Sequence, residues 1–466
     1  MEFELASLRL DIEFALKDAK TGRKLAEAEV TLDEQELYKH KTMFHEIALK
    51  DKQDASLLFS VKAMDWGGEY DLYYWGYKSP FDTSFGSVTV PKLYVPPKPQ
   101  ANHTIVNVKL CRNFGMVVFN NGSSEDEIIV CKRSDEPEVL NEVLSDRVNL
   151  RDGSNLLQIA TGAHHLLMSS LDSSGIKISA IGSNECGQCG ISNQDKCTTW
   201  SEITDLSSNS LLNIYAGGGH NGKTNNEKVG NSGSSFALRG SNAFGQLGLG
   251  DKIDRHSPTS VPINENVRKI AIGNSHTLVL LEDRTMRSFG DNSQGQLGNP
   301  QSKECKERLT ITEGPYILDV DDVDVYADCN IAIGKGKVFT WGGGVSTPKL
   351  VREISARGRV ITSVSCGDHC YYAVDNEGKL YAWGRNSKGE LGLNHREHAD
   401  TPQIITELLG KRVSHVFCAE GHAAALVSRN TPTVTRRSEE KPKPIRRNST
   451  PPRPDKSSPR KTCKTQ

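Results

Sequence analysis

The chain has 466 residues, 36% of them apolar, with 41 glycines, 11 cysteines and a formal net charge of −1. That length allows two or three domains or one repeat array, and a low apolar share with abundant glycine favours short strands and tight turns over a thick helical core. No run nears the ~18 apolar residues of a helical membrane span, and the mixed charges at the start of the chain leave no apolar stretch of secretory type.

In chain order, residues 1–65 come first. Leu5, Leu8, Ile12, Ala15 and Ala19 follow 3-4-3-4 spacing, and Thr21-Gly22 interrupts them before a less regular run over Lys24–Lys50. This predicts a helical N-terminal extension packed as an amphipathic pair, too short for a sustained coiled coil.

From Tyr70 the chain turns to short apolar runs separated by turns, and two signals alternate. The first is Gly-x-x-His before an apolar strand: Gly162-Ala-His-His165, Gly217-Gly-Gly-His220, Gly273-Asn-Ser-His276 and Ala419-Glu-Gly-His422. Cys111-Arg-Asn-Phe114, Ala327-Asp-Cys-Asn330 and Gly367-Asp-His-Cys370 read as degraded copies. The second is a strand ending in a Trp-Gly-like pair: Trp75-Gly76, Ile181-Gly182, Arg239-Gly240, Phe289-Gly290, Trp341-Gly342 and Trp383-Gly384, with a seventh place near Val130-Cys131. Turn residues such as Asn376-Glu-Gly378 and Ser173-Ser-Gly175 mark a hairpin between the two signals.

After four of these pairs runs Gly-x-Asn-x-x-Gly-(Gln/Glu)-(Leu/Cys)-Gly, at Gly182–Gly190, Gly240–Gly248, Gly290–Gly298 and Gly384–Gly392. Self-similarity at about 50 residues, with no helical period between, predicts an all-β repeat, for which a closed ring leaves few sheet edges. The array opens on half a unit (Tyr70–Gly76) and closes on the other half (Val416–Val427), so pairing the two completes a seventh blade. After Trp341-Gly-Gly-Gly344 the loop is missing and the outer turn should be short. These motifs resemble the regulator of chromosome condensation repeat family, over roughly Tyr70–Ser428. The resemblance implies a seven-bladed β-propeller.

Most chemical motifs yield to the repeat. Cys186-x-x-Cys189 has the spacing of half a zinc site, but Cys189 stands where Leu247, Leu297 and Leu391 stand, as a small hydrophobe would. The histidines recur in unit after unit, whereas a catalytic group is needed once, so each is expected to be buried and hydrogen-bonded. No phosphate loop, nucleophile triad or carboxylate pair stands out, so neither a cofactor nor a metal is expected and the chain reads as non-catalytic. The scattered, odd-numbered cysteines read as reduced thiols of an intracellular protein.

The residues inside the Gly-x-x-His turns vary and should share one end of the ring. Asp328, Asp368 and His369 fall in neighbouring units, Glu420 in the next, and His164 in an earlier one. These five are the candidate partner-binding face. In the family's namesake, acidic and His residues of such turns contact the small GTPase Ran, so the resemblance implies guanine-nucleotide exchange as the alternative to a plain interaction platform. Asn221–Ser235 reads as a polar insertion forming a mobile loop.

Arg429–Gln466 holds 12 Lys/Arg against three acids, a net +9, leaving −10 on residues 1–428. With almost no apolar residues, this tail is expected to be disordered. Arg436, Arg437, Lys441, Lys443, Arg446 and Arg447 form a candidate nuclear-import or polyanion patch. Thr431, Thr450 and Ser458, each followed by Pro, are candidate phosphosites whose modification would lower the positive charge. The expected partners are thus a protein on the ring, which under the exchange reading is a small GTPase, and chromatin or an import receptor on the tail, with the nucleus, the cytoplasm or both as location. A chromatin or histone adaptor is the third reading.

Overall fold

The structure, a computed structural model, describes four strands between residues 9 and 61 and most of 70–429, with its longest internal breaks at 133–146 and 226–235; residues 430–466 lie outside it. Seven four-stranded antiparallel sheets make up the ring. Their inner strands are Thr104–Leu110, Asn155–Thr161, Leu212–Ala216, Val267–Ile272, Val320–Tyr326, Ile361–Cys366 and Arg412–Cys418, numbered here as blades 1 to 7. Each inner strand touches the next, and that of blade 7 touches that of blade 1, so the circle is complete.

In blades 1 to 6 the chain runs from the axis outward, strand after strand. Blade 7 is assembled from both ends of the array. His422–Ser428 pairs antiparallel with Tyr70–Tyr77, from His422↔Gly76 to Ser428↔Tyr70, and Ser87–Leu93 adds the outer edge. Arg429 clamps Asp71 at 2.6 Å beyond the last pair. The expected closure is what the structure has.

The second strand of each blade lies between sheets on both faces, and its sequence shows it. His276–Leu281 and Cys329–Gly334 are buried at every position, and so are the first six residues of His422–Ser428. Such continuous apolar runs suit a strand with no solvent face. Trp75 and Trp341, both fully buried, fill the gaps between blades. In blade 5, Lys337–Gly342 turns straight into Val345–Leu350, the short outer turn that the missing loop implied.

The N-terminal segment departs from expectation. Arg9–Lys17 pairs with Lys24–Asp33, and Met43–Ala48 with Ser56–Val61, as two antiparallel hairpins where helices were expected. The sequence carries both periods. Leu10, Ile12, Phe14 and Leu16 alternate with Asp11, Glu13 and Lys17, and Ala26, Ala28, Val30 and Leu32 alternate with Glu27, Glu29 and Thr31. Alternation of period two is the strand signal, and the β-branched and aromatic residues tip the balance.

Candidate protein-docking face

One repeated contact fixes the turns at one end of the ring. The residue after each Trp-Gly-like pair donates its N–H to the carbonyl just before the His position. Tyr77 does so to Gly421 at 2.7 Å, Ser183 to His164 at 2.8 Å, Ser241 to Gly219 at 2.9 Å, Asp291 to Ser275 at 2.8 Å and Arg385 to His369 at 2.8 Å. The glycine makes this approach possible: Gly290 has φ +106°, and a Cβ there would lie 2.5 Å from Ser275 O. The two signals of the sequence are therefore the two halves of one clasp.

The nine-residue loops brace themselves on the same end. Asn184, Asn242, Asn292 and Asn386 each accept, through Oδ1, the N–H of the buried residue five positions on, at 2.8–3.0 Å. Gln188, Gln246, Gln296 and Glu390 accept the N–H two positions back, at 2.7–2.9 Å. Cys189 takes the plug position with no exposure, as do Leu247, Leu297 and Leu391, so the Cys-x-x-Cys spacing belongs to the repeat.

The recurrent histidines tie blade to blade. His276 Nε2 donates to Asn330 Oδ1 at 2.8 Å, His220 Nε2 meets Thr277 Oγ1 at 2.9 Å, and Asn221 Nδ2 donates to His165 Nε2 at 3.2 Å. All three rings are fully buried. Desolvation drives their pKa values down, to about 3 for His165 and His220 and about 4 for His276, so they are neutral at pH 7. They are structural, as the repeat implied. Among the described residues, no group of three or more His, Cys, Asp or Glu could hold a metal ion, and no helix is long and apolar enough to cross a membrane.

On this frame the variable turns stand out. Asp368 and His369 occupy the turn of blade 6, with side chains 32% and 52% exposed. Asp328 sits half-buried in blade 5, and Glu420 half-buried in blade 7. These four lie on consecutive blades. His164 is exposed at the same end but in blade 2, so the structure does not bring it to the others. Blade 5 also corrects the turn alignment. Cys329, not Asn330, pairs with Gly342 and takes the His place, 1% exposed, so the turn is Ala327-Asp328 alone and Cys329 is not one of its exposed residues. One residue fewer leaves Ala327 at φ +50°.

The sequence reading missed Arg385 and Asp291. Both follow a Trp-Gly-like pair, and the clasp returns that position to the turn. Arg385 Nη1 lies 2.6 Å from Asp368 Oδ2. Burial first, and then the charge of Asp291, raise the pKa of Asp328 above the usual carboxylate value. The result is an acidic sector spread over blades 4 to 7, with Arg385 inside it and Lys388 beside the Glu420 turn, its Nζ 5.2 Å from the centre of the Tyr77 ring.

Asn221 does not belong to a loop. It lies in the strand His220–Asn225, 2% exposed, and accepts from Arg239 Nε at 3.0 Å. Residues 222–225 of that insertion continue the same strand, and 226–235 lie outside the described residues, as do Arg112, Asn113 and the tail from residue 430, with Arg436, Arg437, Lys441, Lys443, Arg446, Arg447, Thr431, Thr450 and Ser458.

Profiles of the regulator of chromosome condensation (RCC1) repeat match residues 239–280 and 377–426, and a second profile of that repeat matches 267–296 and 361–390. These spans hold the clasps of blades 4 and 6 and the self-bracing loops of blades 3 and 6. The chain carries RCC1 repeats. Mouse E3 ubiquitin-protein ligase HERC2 is 29% identical over 285 residues, 57% of this chain but 6% of the ligase. The chain thus spans a small part of that relative's length. Among solved structures, human WBSCR16 superposes with a TM-score of 0.63 at 18% identity, covering 77% of this chain and 99% of that one. Prp20p of Saccharomyces cerevisiae, described with its binding to Gsp1p and histones, gives 0.63 at 18%, covering 78% and 93%. At such identities the likeness concerns the RCC1 fold.

Proposed function

We propose that this RCC1 propeller is a non-catalytic protein-interaction platform whose docking face is the part of the acidic sector that lies on blades 5 to 7. The observation that carries the reading is the placement of Asp328, Asp368, His369 and Glu420 on consecutive turns, each held by the fold's own clasps. Rigid scaffolds that present variable turns are the usual home of binding residues. The negative sector fits a partner with a basic patch, which would gain on-rate and specificity at low salt. The basic tail, through Arg436, Arg437, Lys441, Lys443, Arg446 and Arg447, would serve an import receptor or a polyanion, with the protein in the nucleus, the cytoplasm or both.

Binding partners retained by the full chain should be lost by the double variant Asp368→Ala/Glu420→Lys, while its melting temperature stays unchanged. Equal retention by both proteins would overturn the assignment of the face. Guanine-nucleotide exchange on a small GTPase is the second reading, favoured by the family resemblance. It requires tighter binding to the nucleotide-free GTPase than to the loaded one. Nucleotide-release assays over a panel of small GTPases test it, and no acceleration on any would end it. A chromatin adaptor would instead show steep salt dependence through the tail.

A further inference from the structure

Blades 2, 3 and 4 are each tied to the next by a polar bond from the His position. In blade 6 that position is Cys370, fully buried, and what faces it across the seam is another thiol. Cys418 of blade 7 lies with its Sγ 3.8 Å from Cys370 Sγ. We propose that Cys370 and Cys418 form a reversible disulfide across the seam of blades 6 and 7, made by a peroxide and undone by a dithiol.

Three features of the site support this. The sulfurs are already in van der Waals contact, and a disulfide of ~2.05 Å needs them to close by about 1.8 Å. Gly367 gives them room: a Cβ there would lie 2.5 Å from Cys418 Sγ and 2.9 Å from Cys370 Sγ, so both sulfurs rest over a bare Cα. Cys418 as a residue is half-buried, and besides Cys370 and the Tyr372 side chain its Sγ meets the carbonyls of Ala419 and His422 at long distances, 3.5 and 3.6 Å.

The chemistry balances. The thiolate of Cys418 attacks one oxygen of hydrogen peroxide, the O–O bond breaks, and hydroxide leaves, to be protonated to water. The sulfenic acid is then attacked by Cys370 sulfur; the S–S bond forms, the S–O bond breaks, and a second water leaves with the thiol proton. Two thiols are oxidised and one peroxide is reduced. Burial pushes the Cys418 thiol above its ordinary pKa, so the thiolate is scarce at neutral pH and the rate should climb with pH.

The bond would link two turns of the docking face. Cys370 ends the turn that carries Asp368 and His369, and Cys418 precedes the turn that carries Glu420. Locking the turns together would change partner affinity, a consequence that rests on the docking reading above, whereas the disulfide itself does not.

The test treats the full folded chain with hydrogen peroxide at pH 7 and pH 9, blocks free thiols, and maps peptides without reduction. The expected result is a peptide pair linked through Cys370 and Cys418, a loss of two titratable thiols, faster formation at pH 9, and full reversal by dithiothreitol. Cys418→Ser should remove the linked pair and keep the melting temperature of the reduced protein. Separate adducts on the two cysteines, a link between other cysteines, or no link in a folded ring would each overturn the proposal. With the link formed, unchanged affinity for a partner that the face variant loses would refute only the control of docking.

Discussion

Gly290 offers the sharpest quantitative test of the clasp. Replacing it with Ala adds a Cβ 2.5 Å from Ser275 O and 2.8 Å from His276 Cα, at φ +106°. Two costs follow. The backbone angle is one that L-residues rarely adopt, worth about 1–3 kcal/mol of strain. The collision with main-chain atoms on a strand packed on both faces adds about 1–3 kcal/mol more, as overpacking does. Gly344 separates the two, since it has φ +97° but nothing within 4 Å of an added Cβ. Gly344→Ala should therefore cost about 1–3 kcal/mol, and Gly290→Ala about 2–6 kcal/mol. Urea unfolding followed by circular dichroism, with midpoints compared at equal slope, reads the difference. Equal midpoints for the two variants would refute the close approach of strand end and turn as the reason for glycine.

Other expectations follow from the same contacts. Asn292→Ala removes the acceptor for the buried Leu297 N–H and should destabilise by about 1–3 kcal/mol in the same urea assay. Acid should weaken the ring through its histidines. The folded pKa values of His165, His220 and His276 lie below the ordinary 6.5, so the unfolded chain binds more protons as pH falls from about 6.5 toward 4. Stability is then lost at up to ~1.4 kcal/mol per pH unit for each ring, and a histidine-to-asparagine change at 276 should flatten the slope of melting temperature against pH. A chain ending at residue 411 lacks the two inner strands of blade 7 and leaves Tyr70–Tyr77 paired only with Ser87–Leu93 on its outer side. It should lose cooperative unfolding in calorimetry, and a sharp transition near that of the full chain would count against closure as a stabilising device.

The repeat was legible in the sequence because a glycine forced by a close approach leaves a mark at six of the seven blades. Gly76, Gly240, Gly290 and Gly384, the Asn of each loop and its apolar plug follow from contacts local to one unit, and unit-to-unit identity exposed them. Seven units with complementary half-units at the ends were enough to foresee the ring and its closure. The N-terminal strands were not foreseen, because Leu8, Ile12 and Ala15 satisfy a helical period while Leu10, Ile12, Phe14 and Leu16 satisfy a strand period, and pairing with the neighbouring strand of a hairpin settles such a tie. Nor could spacing alone show that blade 5 drops one turn residue, placing Cys329 in the core and leaving Asp328 on the face. The place of Arg385 beside Asp368 and of Asp291 near Asp328, and the meeting of Cys370 with Cys418, depend on contacts whose partners lie well apart along the chain. Local chemistry repeats and is therefore written along the chain; what neighbouring blades present to each other exists only once the ring has formed.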